Sequence, residues 1–282
     1  MAESAWLAAL VGLAGSAVIT LVIAIAYFGR DPERKIVLMP DWILSAADGE
    51  VSAVKKLTFN DLLEQTGVGD LPETATAARW NELPNFWLVS VFMSVLDVHV
   101  NRAPLGGTVT SVVHKLGEFQ PLSDRETHNQ RTNERNTLFI QGEKLSVAVV
   151  QIAGHLARRI VCRVSPGDRV QQGDRVGWIR LGSQVDVIFP ALEGTAICVQ
   201  RGAKAKAGIT TLASTNQSER ALGVRELVAE MGSSNSQGLK EAILARCLIW
   251  VLHAFLYSKL GLHSILHLRE RKRSNAIESG GH

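Results

Sequence analysis

The chain has 282 residues, of which 46% are hydrophobic and 20% charged, and its net charge is +3. That length allows one large domain or two modest ones with a real core, and the charge is too small to mark a nucleic-acid binder. Cys162, Cys198 and Cys247 have no zinc-like spacing and cannot all pair, which fits free thiols in a reducing compartment.

Ala5 to Phe28 carries no charge and is long enough for a transmembrane helix, which needs roughly 20 apolar residues. Trp6 and Tyr27-Phe28 stand where interfacial aromatics belong, and Arg30, Arg34 and Lys35 follow directly. The positive-inside bias therefore puts the bulk of the chain in the cytoplasm. Met-Ala-Glu-Ser at the start offers no positive n-region, which favours an anchor over a cleaved signal, although Ala24-Ile25-Ala26 mimics a cleavage site.

Beyond the anchor, Ile43-Leu44 leads through Asp48-Gly49 to Val51, a strand, turn and strand in which Asp48 is by pattern the turn residue. Asn60 to Glu64 opens a helix, and Phe86 to Met93 is an apolar strand running toward Asp97-Val98-His99-Val100-Asn101. Alternation along a strand puts Asp97, His99 and Asn101 on one face. A carboxylate and a histidine two apart there line either a solvated edge or an acid–base site. Thr108–Val113 and Leu145–Ile152 read as further strands, and the polar stretch 120–136 between them as a solvated loop.

From Ile160 the chain repeats itself. Gly167 and Gly173 are echoed by Gly202 and Gly208 at an offset of 35 residues, each copy reading as strand, Gly turn, short strand, Gly turn, strand. Such half-motifs build small barrels or sandwiches of the biotinyl and lipoyl kind. The expected fold is mainly β: a barrel or sandwich core of lipoyl-like half-motifs over 36–213, behind an N-terminal transmembrane helix within 1–35. A linker over 214–240 precedes a helical extension over 241–282, whose apolar stretch Glu241–Leu268 reads as an amphipathic helix. His253, His263 and His267 have no closed ligand spacing, so no metal is expected.

Between the half-motifs lies Leu181-Gly182-Ser183-Gln184. Read alone, Gly182-Ser183 is a tight turn. The chemical alternative is self-cleavage: in a strained turn Ser183 Oγ attacks the Gly182 carbonyl, and elimination and hydrolysis leave a pyruvoyl group.

Several ordered motifs carry a resemblance. They are Phe28 to Arg34, Ala47-Asp48-Gly49, Leu96 to Pro104, Asn133 to Asn136, Val150 to Gly154, Ala157 to Ile160, Gly173 to Gly177 and Ile179 to Ser183. Together they resemble the phosphatidylserine decarboxylase family in its short prokaryotic form, over roughly residues 28 to 213. The resemblance implies a pyruvoyl enzyme in which Ser183 is the self-cleaving serine, giving a β chain of residues 1–182 and an α chain from 183. The pyruvoyl cofactor made from Ser183 would form a Schiff base with phosphatidylserine in the bilayer and release phosphatidylethanolamine. Asp48, Asp97 and His99 match the family's acid–base positions: His99 for contact with the substrate carboxylate or for proton delivery, Asp48 for self-cleavage. Cell-membrane attachment, with the catalytic core on the cytoplasmic side, is the expected location. The lipid backbone, diacyl or archaeal ether, is open, and a homo-oligomer is neither required nor excluded.

Two departures from the family pattern bear on processing: Gln184 replaces a frequent Arg, and Arg102 stands where longer relatives carry a second His. The rival reading is a membrane-anchored adaptor or carrier with a lipoyl-like domain. The adaptor's heptad hairpin is missing, and Lys204 and Lys206 lack the flanks of a carrier lysine.

Overall fold

The computed structural model describes residues 26–66, 80–118, 122, 132–154, 159–179 and 182–215, with 12, 14–20 and 22 before them. By contact the chain divides into Tyr27–Glu226 and a second unit made of Met1–Ala26 with Leu227–His282. In the second unit residues 14–20 are helical, and the Thr20 hydroxyl donates to the Ser16 carbonyl at 2.8 Å. No helix among the described residues is long and apolar enough to cross a membrane. Much of the uncharged run, the linker beyond Thr215 and the apolar stretch 241–268 lie outside the described residues.

The first unit is built on an antiparallel sheet of eight strands. Their order is β13 (Lys204–Ala205), β2 (Gly49–Thr58), β3 (Asn85–Met93), β11 (Ser183–Pro190), β7 (Ser146–Ile152), β6 (Arg135–Gln141), β5 (Gly107–Lys115) and β9 (Arg169–Val170). Two small sheets complete it, β1 (Trp42–Leu44) with β14 (Thr211–Ser214) and β12 (Ala196–Ile197), and β4 (Val100–Arg102) with β10 (Arg175–Ile179) and β8 (Ile160–Cys162). The core is thus mainly β, as the patterning predicts. The expected barrel is a half-barrel, because the large sheet ends on the two-residue strands β13 and β9.

Both faces of the large sheet are buried. One apolar cluster joins Val51, Val89, Val91, Val147, Val149, Val185, Val187 and Phe189 to residues of both small sheets. It also takes in Ala205 and Val170, from the two end strands, so the sheet curls around it. The opposite face carries a second cluster with Phe86, Leu88, Phe139, Ala148, Val150, Ile152 and Ile188, under Leu62 and Trp80. β7 sends alternate residues to the two clusters, which is why it reads as one unbroken apolar run. Leu62 belongs to α1 (Phe59–Thr66), which opens on a capping box: Thr58 Oγ1 accepts from the Asp61 N–H and the Asp61 carboxylate from the Thr58 N–H, both at 3.2 Å.

The repeat is realised in three dimensions. β9 and β13 stand at the same offset of 35 as the glycines, and each pairs with one of two long strands, β5 and β2. Gly167 N–H donates to the Val109 carbonyl and Gly202 N–H to the Val51 carbonyl, both at 2.8 Å. Gly173 and Gly208 hold φ of 88° and 71°, a conformation glycine adopts without cost. Their Cα regions touch, and Ile36 packs across both.

Ile36 belongs to a segment that crosses the core like a strap. Arg34 meets Asp48 in a bidentate pair, Nη1 to Oδ1 at 2.6 Å and Nη2 to Oδ2 at 2.7 Å. Arg102 donates to the Pro32 and Gly173 carbonyls, and Arg175 pairs with Asp31 and Glu33, each at 2.7 Å. The chain leaving the uncharged run is thereby fixed to both halves of the repeat.

Candidate active site

The predicted turn is present at Gly182, whose φ of 65° is left-handed, and β11 begins at the next residue. Ser183 opens that strand in register with Met93 of β3, and Gln184 is opposite Ile152 of β7. Ser183 therefore shares the inward face with Val185, Val187 and Phe189. It is fully buried, and its Oγ has no hydrogen-bond partner. A buried hydroxyl without a partner is uncommon. Among the described residues Ser90 and Thr195 carry the others, and of the three only Ser183 is both a buried residue and preceded by a left-handed glycine. The carbonyl preceding Ser183 is confined as well: a Cβ on Gly154 would lie 1.7 Å from the Gly182 oxygen, so only glycine at 154 lets that carbonyl sit where it does.

Beside Ser183 on the inward face is a train of buried amides. Asn136 Nδ2 donates to Gln151 Oε1 at 2.9 Å, and Gln151 Nε2 donates to Asn101 Oδ1 at 2.8 Å. Asn101 Nδ2 is left with the thioether of Met93, at 3.7 Å, a weak acceptor. All three amides are buried, and Met93 is the register partner of Ser183.

The alternation expected for Asp97, His99 and Asn101 does not hold, because β3 ends at Met93 and a turn intervenes before β4. Asp97 builds that turn. Its Oδ2 accepts from the Ser94 N–H at 2.8 Å and the Ser94 hydroxyl at 2.7 Å, the side-chain turn chemistry of Asp. The turn borders a cleft of about 470 Å³ lined by Ser94, Asp97, Phe92, Leu122, Glu50 and Arg201.

His99 meets the Asp97 backbone, Nδ1 to carbonyl oxygen at 2.8 Å. A carbonyl only accepts, so Nδ1 carries the proton and Nε2 of the neutral ring is a bare lone pair. That Nε2 is buried without a partner. Burial pushes the imidazole below its ordinary value, and Arg30 acts the same way; the Asp97 carbonyl bond and the charges of Asp97 and Asp48 oppose them. The His99 carbonyl accepts from Ile179 N–H at 3.3 Å, which ties the histidine to the strand end just before the Gly182 turn.

Asp48 is placed differently from a free acid. Besides Arg34 it accepts from the Ala207 N–H at 2.8 Å, so its carboxylate locks the strap to the second half-motif. Arg102 is likewise committed to backbone carbonyls. Gln184, the other departure, turns to the outward face and donates to Asp186 Oδ1 at 2.7 Å. Asp186 is fully buried, its Oδ2 has no partner, and burial pushes it up to about 6, with Ser90 across the strand pair and the Gln184 amide offsetting part of the rise. Sequence reasoning passed over Asp186, although a charge inside the apolar run Val185–Phe189 was a signal. It also passed over the amide train and the role of Gly154, which depend on contacts between distant strands. Among the described residues no His, Cys, Asp and Glu cluster could hold a metal ion.

Comparison with known proteins adds the family. Residues 21–213 match the family model described as phosphatidylserine decarboxylase. The chain belongs to the phosphatidylserine decarboxylase family. Curated relatives are about two fifths identical to it over the aligned residues. A phosphatidylserine decarboxylase proenzyme of Beijerinckia indica is 43% identical over 188 residues, covering 67% of this chain and 72% of the relative. One from Streptomyces avermitilis is 40% identical over 192 residues, 68% and 74% of the two chains. One from Gluconobacter oxydans is 39% identical over 203 residues, 71% and 81%. Membership makes the chain an enzyme of the decarboxylase class and removes the adaptor and carrier readings. The matched span takes in Asp48, Asp97, His99, Gly182 and Ser183.

Proposed function

We propose that this chain is a self-processing, pyruvoyl-dependent phosphatidylserine decarboxylase. The observation that carries the reading is the buried, unpartnered Ser183 hydroxyl following a left-handed Gly182 whose carbonyl is pressed against Gly154. In the proposed step Ser183 Oγ attacks the Gly182 carbonyl carbon and the peptide nitrogen leaves, giving an ester. Loss of the Ser183 α-proton expels the Gly182 carboxylate and leaves a dehydroalanine. Hydrolysis releases ammonia and leaves the pyruvoyl at the head of the α chain, with residues 1–182 as the β chain.

A group built from Ser183 fits the site, because no neighbouring side chain is bonded to that position. The pyruvoyl carbonyl supplies an electron sink for loss of CO₂ from an amine-bearing substrate. The chain's own contribution is proton transfer. A carboxylate needs a donor, and neutral His99 offers none at Nε2, so proton transfer is the role its geometry supports better than carboxylate binding. In this reading Nε2 takes a proton from the attacking hydroxyl or the incoming ammonium and returns one to the carbon that CO₂ leaves. Asp97 orients His99 through its backbone carbonyl and shapes the cleft. Asp48 supports processing by holding the strap. The substrate is a serine phospholipid in the bilayer, reached by a core attached to the cytoplasmic face through the apolar run ending at Phe28. The proposed layout is anchor, β core, linker from about 214 and helical extension from about 241.

The test is turnover of phosphatidylserine in detergent–lipid micelles, read as CO₂ released and ethanolamine phospholipid formed. The processed wild type is expected to form both, the Ser183→Ala variant neither, and His99→Ala to lose about 10²–10⁴-fold. Processed wild-type protein that leaves the lipid unchanged contradicts the reading.

A further inference from the structure

Phe28, the last residue of the uncharged run, lies on the His99 ring. The ring centroids are 4.4 Å apart and the planes meet at 46°. The contact is anchored on both sides of Phe28. Arg30 lies over the Tyr27 ring at 3.8 Å and donates to the Tyr27 carbonyl at 2.9 Å, while its other nitrogen bonds the Leu96 carbonyl in the turn that carries Asp97. Four residues on, Arg34 is clamped to Asp48. The strap therefore has little freedom to lift Phe28 from His99 without breaking charge-assisted bonds.

We propose that Phe28 is a positioning residue for His99: its ring closes the histidine off from water and holds the imidazole against the Asp97 carbonyl, leaving Nε2 unbonded and free to exchange a proton. The proposal rests on the assignment of His99 to proton transfer. It makes the segment leaving the uncharged run a wall of the active site as well as a tether. His99 is only 4% exposed, and among the described residues Phe28 is the aromatic ring in contact with it. Among the described residues the charged groups that bear on His99 are Asp97 from its own turn, Arg30 from the strap and Asp48 from the turn before β2. The acids favour the imidazolium and Arg30 opposes it, so loss of the ring admits water without removing the two acids. The imidazole then charges more easily.

The experiment follows the His99 ring proton by NMR as pH is varied, in the uncut Ser183→Ala chain, with His99→Gln identifying the signal. Phe28→Ala is expected to move the titration upward by about one unit, and Phe28→Tyr, which keeps the ring, to leave it near wild type. Phe28→Leu, a gentler change, is expected to fall between them and serves if Phe28→Ala does not fold. In the processed enzyme the acid limb of the decarboxylation profile is expected to move upward with Phe28→Ala. An unchanged His99 titration in a folded Phe28→Ala or Phe28→Leu chain overturns the proposal. Because that readout needs no turnover, an enzyme inactive on phosphatidylserine would count against the proposed function and leave this test standing.

Discussion

Asp186 is a fully buried carboxyl in the central strand β11. Its folded state binds a proton more tightly than the unfolded chain does, with a pKa of about 6 against 3.8. The contribution to stability is therefore fully present below the unfolded value and lost as pH rises through the folded one. From about pH 4 to pH 6 the native state weakens by on the order of 3 kcal/mol. Asp186→Asn in the uncut Ser183→Ala chain is expected to flatten that dependence and raise the urea midpoint at pH 7.5; an equal pH dependence in both chains would contradict it. Gly154 poses the opposite problem, of space rather than charge. An alanine there must push the Gly182 carbonyl away, because its Cβ would lie 1.7 Å from that oxygen. Displacement of an attacked group by this much costs about 100-fold in rate, so Gly154→Ala is expected to accumulate the uncut precursor on a denaturing gel. The apolar run of β7 was legible in the sequence as a strand, as was the Gly182 turn. The amide train was not, because Asn136, Gln151 and Asn101 come from three strands and meet only through the register.

Among the elements, the strap is the one the sequence concealed. Arg30 and Arg34 read as charges that follow a membrane segment, yet Arg34 and Asp48 have side-chain exposures of only 7% and 12%. Removing one partner of such a pair leaves a charge facing a desolvated site, at a cost of up to about 3–5 kcal/mol. Asp48→Ala alone is expected to approach that loss in chemical denaturation, while Arg34→Met with Asp48→Ala recovers a substantial part of it. A double variant no more stable than the single one would show that the pair is not coupled. The half-motifs, by contrast, were fully legible: glycines recurring at a fixed offset point to turns with φ > 0, and all four turn that way. The break between β3 and β4 was missed because Ser94 and Asp97 make a side-chain turn inside what reads as one strand.

At the scale of the whole molecule, the bond proposed to break opens a central strand. β11 lies between β3 and β7, paired along its length with one and over five register pairs with the other. Both neighbours belong to the proposed β chain. Scission at Gly182 therefore leaves the two products interleaved in one sheet with a shared core, and they are expected to co-elute until denatured. The proposed site of scission came from a motif in the sequence, but this interleaving follows from strand order alone. Intact mass under denaturing conditions tests the central claim most directly. The account predicts two polypeptides, residues 1–182 and 183–282, the second lacking a free α-amino group, and a single full-length species for Ser183→Ala. A wild-type chain that keeps its full-length mass, or a Ser183→Ala chain cut at the same bond, would contradict it.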